Sequence, residues 1–122
     1  MLVVIVEPGK QAYAKEIQGT LNEMRDIVGG TIQAVYPFEE PIALICNDEG
    51  KLLRLPPNRG LRDGRGVLYD VICGTFFLCA APSESDRFES LSEQQVQWCL
   101  EQFQRPELIL SVNGTLIVLP ME

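Results

Sequence analysis

A chain of 122 residues without a single histidine has to draw any chemistry from its carboxylates, its cysteines or its arginines. The absence removes every His-based catalytic triad and every His-containing metal site. The adjacent acids Glu39-Glu40 and Asp48-Glu49 fall in turn-like contexts where acids are expected in any case. No D-x-D or H-E-x-x-H spacing is present, and no G-x-S-x-G elbow, Walker loop or G-x-G-x-x-G follows an apolar run. Gly60-x-x-x-Gly64-x-Gly66 has neither the spacing nor the Lys-Ser/Thr continuation of a phosphate loop. Cys46, Cys73, Cys79 and Cys99 include no C-x-x-C pair, and each sits in an apolar setting such as Val71-Ile72-Cys73 or Phe77-Leu78-Cys79. A thiol in such company behaves as a small hydrophobe, and burial raises its pKa away from reactivity. These observations lean against an enzyme and predict no catalytic residue, no metal and no cofactor.

The arginines are more informative. Lys51, Arg54, Arg59, Arg62 and Arg65 are five of the ten bases, and Asp63 is the only acid between residues 51 and 65. That segment carries +4 within a chain of net charge −7, which leaves −11 for the rest. Arginines on a glycine-bearing loop could grip phosphate or carboxylate with two bonds each. Asn58 and the loop backbone would add further donors. Asn58, Arg59, Arg62, Arg65 and Arg54 are therefore the candidate binding residues, with Arg59 and Arg62 foremost. The competing reading has the same arginines solvating an exposed loop and pairing with acids such as Asp63 and Asp70. Nucleic-acid binding is disfavoured, because a body at −11 repels a phosphate backbone and binders usually show a basic face. Phe76-Phe77 would stack bases only if exposed. The acids Glu84, Asp86, Glu89 and Glu93 are too few, and too interrupted by Arg87, for nucleic-acid mimicry.

The elements that must position these groups follow from apolar patterning. Leu2–Val6 predicts a strand buried on both faces, and 12–18 a second, partly exposed strand. Thr20-Leu21-Asn22-Glu23 has the form of a capping box, with Leu21, Met24, Ile27 and Val28 at helical spacing and Gly29-Gly30 as the stop. Residues 31–36 and 42–46 read as strands, the latter expected to form a hairpin with 51–55 across Asn47-Asp48-Glu49-Gly50. Residues 58–66 read as an irregular polar stretch. The long apolar run 71–80 predicts one central strand, with Gly74 as a bulge or point of close approach. A second capping box, Ser92 to Gln95, is flanked by Leu91 and Val96 as a hydrophobic staple and opens a helix closed before Pro106. Asn113-Gly114 between apolar runs predicts a terminal hairpin.

Strands outnumber helices and most links are hairpin-length, so the expected class is α+β. The whole of 1–122 is one domain, a largely antiparallel or mixed sheet with two short helices packed on one face. No run approaches the roughly 20 apolar residues of a membrane helix, and no signal-peptide start precedes Leu2–Val6. A cytoplasmic location with reduced thiols is the expectation, and Asn113-Gly114-Thr115 is then an unused glycosylation sequon.

The string Ala34-Val35-Tyr36-Pro37-Phe38-Glu39, Ile42 to Asn47, Glu49-Gly50-Lys51, Leu55-Pro56-x-Asn58-Arg59 and Asp70-Val71-Ile72-x-Gly74-Thr75-Phe76-Phe77 resembles a family of small bacterial and phage proteins. That family is catalogued as a conserved domain of unknown function. Val28-Gly29-Gly30 and the helix start at Leu91-Ser92 fit it too. The resemblance implies a shared fold over almost the whole chain and a setting in Firmicutes, plasmids, conjugative elements and phages. It implies no activity. The expected function is that of a non-enzymatic accessory protein of a mobile genetic element, acting through protein contact and with its oligomeric state open. The alternative is an anion- or nucleic-acid-binding module that uses the 51–65 arginines.

Overall fold

The apolar run Leu2–Val6 forms β1, and its Val3, Val4, Ile5 and Val6 are buried on both sides of a sheet. A computed structural model describes residues 1–121. β2 (Tyr13–Glu16) pairs antiparallel with β1, where the weak patterning of 12–18 predicts a strand, and is exposed throughout and not only in part. Then come α1 (Leu21–Val28), β3 (Ile32–Val35), β4 (Ile42–Asn47), β5 (Pro57–Arg62), β6 (Leu68–Cys73), β7 (Phe76–Ala80), α2 (Glu93–Phe103), β8 (Glu107–Val112) and β9 (Thr115–Pro120). The main sheet has five strands in the order β2-β1-β7-β4-β3, every pair antiparallel. Two separate hairpins, β5–β6 and β8–β9, complete an α+β fold.

Strand alternation divides the core into two layers. Val4, Val6, Leu44, Phe76 and Leu78 face one way, toward Val96, Cys99 and Phe103 of α2 and toward Leu61 and Ile72 of the β5–β6 hairpin. Val3, Ile5, Ala43, Ile45, Phe77 and Cys79 face the other, toward Met24 and Val28 of α1. The two helices thus cover opposite faces, not one. A sheet whose central strands are apolar on both sides needs a cover on each. Phe38, Trp98, Phe103 and Phe76 add edge-on ring contacts on the α2 side, with centroids 4.9 to 5.9 Å apart.

Both helix starts follow the capping chemistry. Ser92 accepts from the Gln95 N–H while the Gln95 side chain accepts from the Ser92 N–H, and the flanking Leu91 and Val96 are both buried. At α1 the reciprocal bond is displaced by one residue: Thr20 accepts from Glu23, but the Glu23 carboxylate accepts from the Gly19 N–H. Gly29 ends α1 in the left-handed conformation.

Three local expectations are corrected. Residues 51–55 form turns instead of a strand, because both edges of β4 are taken by β3 and β7. The stretch 58–66 is not an irregular loop; its first half is β5, which pairs with β6 through two register shifts. The apolar run 71–80 is not one strand but the end of β6 and the whole of β7, in different sheets. The break lies at Gly74, which has φ of 86° and donates its N–H to the Pro56 carbonyl at 2.7 Å. A Cβ there would come within 2.7 Å of Leu55 Cδ1. Gly74→Ala should therefore lower stability by about 1–3 kcal/mol without changing the urea m-value, measured by equilibrium unfolding.

Candidate functional site

The five candidate residues separate once the chain is folded. Asn58 and Arg59, on β5, are 0% and 1% exposed. A polar strand segment is tolerated inside only if each donor and acceptor is matched, and here each is. The two Asn58 Nδ2 hydrogens go to the carbonyls of Val6 and Gly74, both at 2.9 Å. Arg59 spends five bonds on five N–H groups: Nε and Nη2 on Phe103 O at 3.2 and 3.0 Å, and Nη2 on Lys10 O at 2.6 Å. Nη1 bonds Asn58 Oδ1 at 2.9 Å and Asn58 O at 3.4 Å. No carboxylate touches the guanidinium among the described residues. Burial pushes its pKa below the ordinary arginine value, and the charge of Glu107 opposes that shift.

The position of Phe103 explains the arrangement. It is the last residue of α2, where carbonyls have no helical partner and the dipole is negative, and α2 carries no base of its own in that turn. Arg59 supplies the missing cation from another strand. Asn47, at the end of β4, does the neutral equivalent at α1, donating to Val28 O at 3.1 Å while accepting from the Glu49 N–H. Each helix is pinned to the strands by a buried polar side chain at its C-terminal end.

The remaining candidates stay outside. Arg62 ends β5 and binds Glu107 Oε2 at 2.8 Å, while Glu107 Oε1 accepts from the Gly60 N–H at 3.0 Å. Lys51 bonds Asp70 at 2.5 Å. Asp63 caps its own turn by accepting from the N–H groups of Arg65 and Val67. Arg65 is exposed in that turn, and Arg54 is exposed with φ of 56° in the turns after β4. Both are free of ion pairs among the described residues. The basic segment therefore resolves into one buried structural cation, two ion-paired bases and two separate surface arginines.

No group of three Cys, Asp or Glu side chains that could hold a metal comes together among the described residues. Cys46, Cys79 and Cys99 are buried, Cys73 is partly so, and none is in a disulfide. Burial pushes the Cys79 and Cys99 thiols up to about 12, and raises Cys46 and Cys73 as well. Phe76 and Phe77 are wholly buried and present no ring to a base.

What sequence reasoning missed is on the last hairpin. In the β8–β9 register Leu108 faces Leu119, Leu110 faces Ile117 and Val112 faces Thr115, all on one side of the ribbon. Those five aliphatic side chains are 38 to 47% exposed. The opposite side brings half-buried Ile109 and Val118 toward β5, with Val118 against Gly60. Beside the hairpin tip, Leu116 and Gly114 border an open cleft of about 670 Å³ whose other wall includes exposed Val67 and Tyr69. The signal was available in the sequence: residues 108–121 are fourteen consecutive residues without a charge.

An α+β protein whose five-stranded sheet carries a helix on each face, pinned by buried polar side chains, is the class defined by this fold. The chain belongs to the family described as Domain of unknown function (DUF3846), which matches residues 1–104. No curated protein and no solved structure matches it. The matched part ends one residue past α2, so the β8–β9 hairpin lies outside it.

Removing the Arg59 guanidinium strands the Phe103 and Lys10 carbonyls, at about 1–3 kcal/mol for each buried group. Arg59→Met should therefore cost about 3 kcal/mol or more, against about 0.5 or less for Arg65→Ala, by urea unfolding. The thiols give a second check. At pH 8 a thiol-reactive dye should label at most Cys73 rapidly in the native protein, and all four cysteines once unfolded. The unfolded chain loses its thiol protons near the ordinary value of 9, whereas folded Cys79 and Cys99 hold theirs to about 12. Stability must then fall as pH rises through that window, and a flat alkaline limb would contradict the burial.

Proposed function

We propose that this protein is a non-enzymatic accessory protein that works by contact with another polypeptide, through the outward face of the β8–β9 hairpin. The observation that carries the reading is the set of five exposed aliphatic side chains in cross-strand register, Leu108, Leu110, Val112, Ile117 and Leu119. Scattered exposed aliphatics are ordinary, but a contiguous face on a projecting element marks a place where another surface sits. The bases that would have served anion or nucleic-acid binding are committed elsewhere, Arg59 in the interior and Arg62 and Lys51 in ion pairs. That alternative retains only Arg54 and Arg65, on a molecule of net charge −7. A mobile-genetic-element setting and a cytoplasmic location complete the reading. They rest on the family resemblance and on the apolar, disulfide-free setting of the cysteines.

Photo-cross-linking inside cells tests it. A photoreactive side chain at position 110 should give a protein adduct that disappears with Ile117→Lys and survives Arg65→Ala. The same probe at position 65 should give none. Nucleic-acid adducts from position 65, or no protein adduct from position 110, would sink the proposal.

A further inference from the structure

We propose that Asp70, clamped by Lys51, is a lock on the outer edge of β6. Its carboxylate sits on the Val71 N–H where a neighbouring strand's carbonyl would sit, and the edge accepts a strand only when that carboxylate leaves. This lock is separate from the outward face of the β8–β9 hairpin and goes beyond the contact proposed there.

The β5–β6 hairpin is a two-stranded sheet, so each of its strands has one edge without a ladder partner. Gly60 and Val71 lie opposite each other in its middle, and neither N–H is spent on the other strand. The Gly60 N–H donates to Glu107 Oε1 at 3.0 Å and the Val71 N–H to Asp70 Oδ1 at 2.8 Å. The two residues thus form a non-hydrogen-bonded pair whose N–H groups point outward, one to each edge. Each edge ends on a carboxylate, and a base from the 51–65 segment holds each carboxylate: Arg62 on Glu107, Lys51 on Asp70.

The two edges differ in what lies beyond them. The β5 edge meets β8 through Glu107. On the far side of β6 no strand pairs among the described residues. That edge opens instead on the cleft of about 670 Å³ and on a smaller cavity of about 160 Å³ toward Cys73. The residues that border both hollows are Lys51, Asp70 and Val71, the three members of the lock. Val67 and Tyr69 are more than half exposed beside them. A bare strand edge with apolar side chains is a template for pairing with another chain, and a charge directed onto the edge prevents it. The clamp is also placed where it can open. The side chains of Asp70 and Lys51 are 40% and 65% exposed, and an ion pair open to water holds weakly.

Two substitutions separate a lock from an ordinary surface ion pair. Asp70→Asn keeps an oxygen for the Val71 N–H but no charge for Lys51, whereas Asp70→Ala keeps neither. In dilute native protein, Asp70→Ala should speed exchange of the Val71 amide about 10-fold or more, the worth of a hydrogen bond to a charged group, and Asp70→Asn much less. The second readout is association at about 0.3 M salt, which screens the repulsion between acidic copies beyond about 6 Å. Sedimentation velocity should show Asp70→Ala associating as its concentration rises, with its β6 amides regaining protection. The parent and Asp70→Asn should show no concentration dependence at β6. Adding Tyr69→Lys to Asp70→Ala should abolish the association, because a lysine on an edge blocks pairing. A merely loosened hairpin would not be cured that way. A Val71 amide no faster in Asp70→Ala, or β6 amides unprotected at every concentration of that variant, overturns the inference. So does association that Asp70→Asn shares or that survives Tyr69→Lys.

Discussion

A guanidinium placed where water cannot reach it has to find acceptors for five N–H groups inside the molecule, and that requirement organises the fold around Arg59. Its acceptors come from the end of α2, from the turn after β1 and from its neighbour Asn58. Asn58 in turn reaches the end of β1 and the break between β6 and β7. Two adjacent side chains on β5 thereby join the main sheet, the β5–β6 hairpin and α2. An apolar pair of similar size could fill the space but could not satisfy those carbonyls or place a cation at a helix C-terminus. The positive charge is retained because the carbonyl cage stabilises it at a point where the helix dipole already favours it.

That role shows why charge counting along the sequence located an important residue and misjudged its purpose. Arginines are almost never fully buried without a carboxylate partner, so Pro57-Asn58-Arg59-Gly60 reads as a solvated loop. The partners of Arg59 are backbone carbonyls as far away as Phe103, and no local pattern encodes them. Signals whose physics is local were legible: both helix starts, the left-handed stop at Gly29, the Asn113-Gly114 hairpin and the buried β1. Expectations that depended on distant pairing went astray. β4 reads as needing a hairpin partner from 51–55, because nothing local shows that β7 returns beside it. The run 71–80 looked like one strand because apolarity does not reveal that Gly74 turns the chain between two sheets. Periodicity gives a helix its apolar side but not the layer that it meets, so the sequence reads as placing both helices on one face.

The exposed aliphatic face was hidden for a related reason. Uncharged runs are normally core, and Leu108 to Leu119 resembles the buried strands in composition. Only the fold shows that β8–β9 stands apart from the five-stranded sheet, with one side packed on β5 and the other uncovered. The base of the ribbon is fastened by Glu107, which holds both the Gly60 N–H and Arg62, and by the Met121 N–H on the Pro106 carbonyl. The body of the molecule thus holds the apolar ribbon by its base. This division fits the extent of the family match, which spans the pinned body and stops short of the ribbon.

The central claim is that a body pinned through Arg59 carries a separately stabilised contact ribbon. Native-state hydrogen exchange on the dilute protein tests it most directly. Amides of β1, β4, β7 and α2 should exchange only through global unfolding and lose protection together in Arg59→Met. Amides of β8 and β9 should open locally at much lower free energy. Uniform protection across all nine strands in dilute solution, or an Arg59→Met protein with undiminished protection in α2 and β1, would contradict it.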